Sequence, residues 1–259
     1  MLLAIDAGNT NTTFAVFDGE RIVGEWRAST SSSRTADEHA VWLASLMNLV
    51  DLSPKSIDAA IIATVVPQAL FNLRTLCRRY FHCEPVVIGD PDVDVGIQVL
   101  VARSRDVGAD RIVNAVGAKL LYGGPAIIVD FGTATTFDVI NNDGDYIGGV
   151  IAPGINLSLE ALHLAAAKLP RIAIERPSRV VGDDTTSAML SGVYYGYIGL
   201  IEGLVTRIRQ EQGGMVKVVA TGGLAPMISD GTDIFDVIDR DLTMKGLLEI
   251  SRRNPRTLS

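Results

Sequence analysis

Two short segments combine an aspartate, a glycine and a hydroxyl side chain at one spacing: Asp6-Ala7-Gly8-Asn9-Thr10 and Asp130-Phe131-Gly132-Thr133-Ala134. Each follows an apolar run, 1–5 and 126–129, and leads into a second run of strand character. Glycine admits positive φ and lets a ligand come close to the backbone. Successive amide N–H groups, helped by Asn or Thr side chains, then face a phosphate oxygen. A carboxylate does not bind phosphate directly. The leading aspartate therefore acts through a cation, Mg²⁺ or a monovalent ion, that takes oxygen ligands. One such turn alone reads as a plain β-hairpin. The second copy reverses that: two turns facing each other across a cleft can grip opposite ends of the triphosphate of ATP. That geometry supplies the positioning and charge neutralisation that phosphoryl transfer needs. A third glycine turn, Thr221-Gly222-Gly223, follows the last apolar strand and can cover a nucleotide base or ribose.

An acceptor side is found at Gly108-Ala109-Asp110-Arg111, at the start of a predicted helix. With Arg103 and Arg105 nearby, Arg111 completes a local cationic patch that suits an anionic substrate group. Asp110 reads in two ways. It can take a proton from a substrate hydroxyl, or it can be a helix-start carboxylate balancing the helix dipole. His39, His82 and His163 have no partner at metal-ligand spacing, and Cys77 and Cys83 read as reduced, buried thiols. The run 29–33 reads as a mobile loop.

The elements that must carry these residues repeat. Strands are expected over 12–17 and 21–27, joined at Asp18-Gly19, and again over 135–140 and 146–151, joined at Asp143-Gly144. The Asp-Gly pair comes twelve residues after Asp6 and thirteen after Asp130. One three-stranded meander is thus used twice, which implies an α/β chain of two related domains with a cleft between them. The breaker cluster Gly123-Gly124-Pro125 places the boundary, giving domains 1–123 and 124–259. Other expected elements are a helix behind a capping box at Thr35–Glu38, a strand over 59–65 and helices over 70–80, 107–121, 156–168 and 185–212. The last of these carries Gly192, Gly196, Gly199 and Gly203, a stripe that calls for the close approach of another backbone.

The net charge of -7 over 259 residues argues against non-specific nucleic-acid binding, which depends on Lys and Arg neutralising phosphates. The N-terminus lacks a signal-peptide pattern, and no apolar run is read as a membrane span, so a cytoplasmic protein with no membrane partner is expected.

Several segments, in order along nearly the whole chain, resemble the type III pantothenate kinases. They are Asp6-x-Gly8-Asn9-Thr10, Val107-Gly108-Ala109-Asp110-Arg111-Ile112-Val113-Asn114-Ala115, Asp130-x-Gly132-Thr133-Ala134-Thr135-Thr136, Gly148–Ile155, Thr185–Gly192, Thr221-Gly222-Gly223 and Asp241–Leu247. The segment 107–115 is the most specific, while the aspartate turns mark the wider sugar kinase, hsp70 and actin superfamily. The resemblance implies a ribonuclease-H-like fold in two copies, a homodimer, and phosphorylation of pantothenate by ATP at the first step of coenzyme A synthesis. By position it implies ATP at Asp6, Ala7, Gly8, Asn9, Thr10, Asn11, Thr12 and Thr13, with Thr133 added. It also implies potassium or ammonium at Asp130, Mg²⁺ with ATP, Asp110 as proton acceptor, and pantothenate at Gly108, Ala109, Asp110, Arg111 and Thr185. Three positions depart from the family's habit: Val101 in place of Tyr, Ser104 in place of Pro and Asp184 in place of Asn. A kinase for another small hydroxylated acid or sugar, and a non-catalytic ATP-binding regulator, are the rival readings.

Overall fold

A computed structural model describes residues 1–165 and 169–255 of the chain. In chain order its first elements are β1 (Leu2–Ala7), β2 (Asn11–Asp18), β3 (Arg21–Ser29), α1 (Ala36–Asn48), β4 (Ala59–Thr64), α2 (Pro67–Tyr80), β5 (Val86–Val87) and α3 (Ala109–Tyr122). There follow β6 (Ala126–Phe131), β7 (Ala134–Ile140), β8 (Tyr146–Pro153), α4 (Ile155–Ala165), α5 (Thr185–Gln212), β9 (Lys217–Gly222), α6 (Ala225–Ser229), β10 (Val237–Ile238) and α7 (Leu242–Arg253).

The chain forms two compact units. The first is Met1–Leu121 together with the segment that begins at Leu242, and the second is Tyr122–Asp241. The expected division at 123/124 differs from this at its far end, because the last helix packs with the first unit. Met244, Leu247 and Ile250 of α7 are buried in one cluster with Ala4, Ile61 and Val113.

In the first unit the sheet order is β3-β2-β1-β4-β5, with β1 antiparallel to β2 and parallel to β4. Side chains alternate across a strand. Leu3, Ile5, Phe14 and Val16 therefore face α1 and α2, burying against Leu43, Met47, Leu73 and Leu76. Ala4, Ala15, Ile61 and Ala63 face the other way, towards Val113 and Val116 of α3 and the apolar side of α7. Close approach there needs small residues. A Cβ at Gly117 would lie 2.7 Å from the Leu242 carbonyl oxygen, and one at Gly246 would overlap that of Val113.

The second unit repeats the pattern as β10-β9-β6-β7-β8, again with an antiparallel hairpin and a parallel neighbour on the first strand. Ile127, Val129 and Phe137 bury against Tyr194, Ile198, Ile201 and Val205 of α5. Both meanders carry a register shift at the matching place, between Val16 and Phe17 and between Val139 and Ile140.

Local chemistry explains the boundaries. Thr35 and Glu38 form the expected reciprocal capping box at α1. Pro67 stands at the start of α2, three residues ahead of the expected helix start, where its missing N–H has no cost. Gly213 ends α5 in the left-handed conformation at φ 73. The helix expected over 156–168 is α4, and residues 166–168 lie outside the described residues. At 28 residues, with an 18-residue window of mean hydropathy 1.3, α5 is long and apolar enough to cross a membrane, contrary to the expectation of no such span. Its buried side chains, however, cover the second unit's sheet. Cys77 and Cys83 are free and buried.

Candidate active site

In the first unit the turn 8–10 leaves β1 and enters β2 at the end of the sheet where β1 and β4 stop together. The Gly8 N–H donates to the Asn11 carbonyl at 3.0 Å, closing the turn. Asn9, Thr10 and Asn11 are exposed, while Thr12 is buried. The segment 29–33, expected to be mobile, is tied to this turn. The Thr30 hydroxyl donates to the Gly8 carbonyl at 2.7 Å, the Thr30 N–H donates to the Thr10 carbonyl at 2.9 Å, and the Thr12 and Thr30 hydroxyls share a 2.9 Å bond.

The acceptor segment lies beside the same strand ends. The Val65 N–H donates to the Ala7 carbonyl at 3.1 Å. A Cβ at Gly108 would come within 3.3 Å of the Val65 side chain and 2.5 Å of Asp110 Oδ1. Gly108 thus leaves space for the Asp110 carboxylate, and its carbonyl accepts the first α3 bonds, from the N–H groups of Arg111 at 3.1 Å and Ile112 at 3.2 Å. Asp110 Oδ1 accepts from the Arg111 N–H at 2.8 Å. Burial pushes the Asp110 carboxyl above its ordinary value, against the opposing pull of that N–H and of the Arg111 charge. A carboxylate raised in this way is a better proton acceptor near neutral pH. The expected arginine patch is partly spent, since the exposed Arg103 leans to Asp106 at 3.9 Å. Val101 is half-buried, and Ser104 opens a single 3-10 turn, Ser104–Asp106.

In the second unit the turn 132–133 is one residue tighter, with the Gly132 N–H donating to the Ala134 carbonyl at 3.1 Å. Gly154 packs on it so closely that a Cβ there would overlap the Thr133 carbonyl oxygen. Tyr197 of α5 bonds to the Thr135 hydroxyl and to the Pro153 carbonyl, bracing β7 and β8 just beyond the turn. Asp130 is in register with Thr136 on β7 and Thr221 on β9, so the three side chains share one sheet face. Thr221 is buried and its Oγ1 has no hydrogen-bond partner. An orphaned buried oxygen beside a carboxylate suits a cation with oxygen ligands. Gly222, at φ 89, keeps that space open, because a Cβ there would lie 2.6 Å from Asp130 Oδ1. Thr185 is the exposed first residue of α5. Asp184 is the N-cap, accepting from the Ser187 N–H at 2.9 Å, a role that Asn fills equally well. Among the described residues no group of three or more His, Cys, Asp or Glu side chains could hold a metal ion.

The sequence model of the type III pantothenate kinases matches residues 2–207. The chain belongs to that family. The type III pantothenate kinase of Rhodospirillum rubrum is 62% identical over 254 residues, covering 98% of this chain and 99% of the relative. That of Paramagnetospirillum magneticum is 61% identical, covering 98% of each. Among solved structures, the activator of 2-hydroxyisocaproyl-CoA dehydratase from Clostridium difficile, with bound ADPNP, superposes with a TM-score of 0.58. It covers 100% of this chain and 99% of that one at 14% identity, which shows the fold alone. A 2-dehydro-3-deoxygalactonokinase fold from Sinorhizobium meliloti does so at 0.59 and 13%, covering 99% and 98% of the two chains. The chain therefore shares the two-sheet α/β architecture of these solved structures.

Residues that shape the two turns and the acceptor segment but carry no motif of their own are Thr30, Val65 and Tyr197. Thr30 carries a weak signal, since β3 returns antiparallel to β2 and residue 30 must end near the turn 8–10. Tyr197 carries none, because inside α5 it looks like any core aromatic.

Proposed function

We propose that ATP lies with its phosphates on the turn Asp6–Thr13 and against Thr133, while pantothenate lies against Gly108–Arg111 and Thr185. The reaction is the family's, phosphorylation of pantothenate by ATP on the way to coenzyme A. One observation carries the site assignment. Through Val65, the first unit sets the Asp110 carboxylate next to the strand end from which the phosphate turn springs. The pantothenate hydroxyl gives its proton to Asp110 as its oxygen attacks the γ-phosphorus, and ADP leaves. The N–H groups of the exposed residues Asn9, Thr10 and Asn11 would donate to phosphate oxygens. Asp130 with the Thr221 hydroxyl would hold a monovalent cation, potassium or ammonium, which when bound offsets negative charge on the phosphates. Mg²⁺ enters with ATP, as is usual for an ion that keeps several waters. Asp6 stands where it can meet such an ion.

A homodimer is part of the proposal. Among the described residues the stripe on α5 has no close neighbour: a Cβ at Gly192, Gly196 or Gly199 would meet nothing within 4 Å. The close approach those glycines suggest is left for a second copy. A coenzyme A biosynthetic step fits a cytoplasmic setting.

The test is ATP consumption with pantothenate and with a panel of polyols and sugar acids, in potassium and in sodium buffers. Stimulation by pantothenate alone, and only with K⁺ or NH₄⁺, is expected. Turnover on a sugar instead, or ATP binding without turnover on any acceptor, would overturn the assignment.

A further inference from the structure

We propose that Thr30 is a positioning residue for the ATP-binding turn, an inference that rests on that turn holding the phosphates. Thr30 stands just beyond β3 and reaches the turn with both its backbone and its side chain. Its hydroxyl donates to the Gly8 carbonyl at 2.7 Å, its N–H donates to the Thr10 carbonyl at 2.9 Å, and its hydroxyl shares a 2.9 Å bond with that of Thr12. Peptide units are planar and trans, so each carbonyl points opposite to the N–H that follows it. Anchoring the Gly8 carbonyl fixes the direction of the Asn9 N–H. Anchoring the Thr10 carbonyl does the same for the Asn11 N–H. Asn9 and Asn11 are both exposed residues of the turn. Glycine at position 8 imposes little direction of its own, so without an anchor the first peptide unit can rotate and lose its aim before ATP arrives. Thr30 acts on nucleotide binding through the turn and has no part in the acceptor site at Gly108–Arg111.

The effect of Thr30→Val, which keeps the β-branched shape and removes the hydroxyl, is read as separate KM values. Loss of one neutral hydrogen bond that orients the turn should raise the KM for ATP about five- to tenfold. The KM for pantothenate should stay within about twofold. Thr30→Ser should restore the KM for ATP. Thr30→Ala supplies the same measurement if the valine variant does not fold. Asp6→Asn is the control for the underlying reading. If it leaves ATP binding intact, the assignment of the turn is wrong. If it abolishes ATP binding while Thr30→Val and Thr30→Ala keep the parental KM for ATP, only the role of Thr30 is overturned. Equal rises in both KM values, or no rescue by serine, would also overturn it, since they would mark a merely structural residue.

Discussion

Gly108→Ala tests the acceptor geometry with the smallest available change. The added Cβ would lie 2.5 Å from Asp110 Oδ1, whereas real Cβ contacts essentially never fall under 3.0 Å and ordinary ones begin near 3.4 Å. The carboxylate must therefore retreat by about 0.5 to 0.9 Å, and its 2.8 Å bond from the Arg111 N–H weakens as it does. A misplacement of about 1 Å at a reacting group costs on the order of 100-fold in rate. A 10- to 100-fold fall in kcat is expected. Stability should change little, by about 1 kcal/mol, because the obstructing atom is the end of a side chain and alanine is only a poorer N-cap than glycine. Steady-state kinetics and a thermal melt check both. The cycle with Asp110→Asn sharpens the test: if Gly108 acts only through that carboxylate, Gly108→Ala should cost almost nothing further in the Asn background. Wild-type kcat in Gly108→Ala, or fully additive losses in the double variant, would refute the reasoning.

Asp110→Asn should lower kcat by roughly 100- to 10,000-fold, the range of general base catalysis, and should make the protein more stable at pH 7. Burial raises the folded-state pKa of Asp110 above its ordinary value of 3.8, so its contribution to stability is full below that value and is lost as pH rises through the folded pKa. The variant's gain in melting temperature should vanish in acid; a gain that persists at pH 3 would contradict it. His39 behaves in the opposite sense. Burial, with Arg34 adding to it, lowers its pKa from 6.5 to about 4, about 3 kcal/mol in favour of the neutral ring packed against Phe14. Stability should decline as pH falls from 6.5 towards 4, and His39→Leu should flatten that decline. An equal decline in the variant, followed by denaturant melts at pH 7 and 5, would sink the idea.

Much of the architecture was legible because the sequence states it twice. The aspartate turns, the Asp-Gly hairpins and the capping box at Thr35 are local signals, each set by the conformational needs of one or two residues. What was hidden depends on pairing across distance. A register shift between Val16 and Phe17 moves the partner of Asn11 to Ser29, and so decides that Thr30 meets the turn. No local pattern announces that shift. The arginine patch looked stronger in sequence than in space, since charges three residues apart on a turn neutralise one another, as Arg103 and Asp106 do. The glycine stripe of α5 was legible, but nothing among the described residues fills the space beside Gly192, Gly196 and Gly199. The last helix, assigned by order to the second half, carries apolar residues that match the first unit's sheet face.

The return of α7 to the first unit has a consequence for biosynthesis. The second unit is an insertion whose entry and exit are stitched together, with the Tyr122 hydroxyl donating to Asp239 at 2.7 Å. Everything it needs has been synthesised once residue 241 is made. The first unit, begun at Met1, still waits for Met244, Leu247 and Ile250 to close one side of its sheet. The half of the protein made first is thus completed last, and a ribosome that stops short of Leu242 would leave the apolar face under β1 and β4 without the cover that α7 adds beside α3.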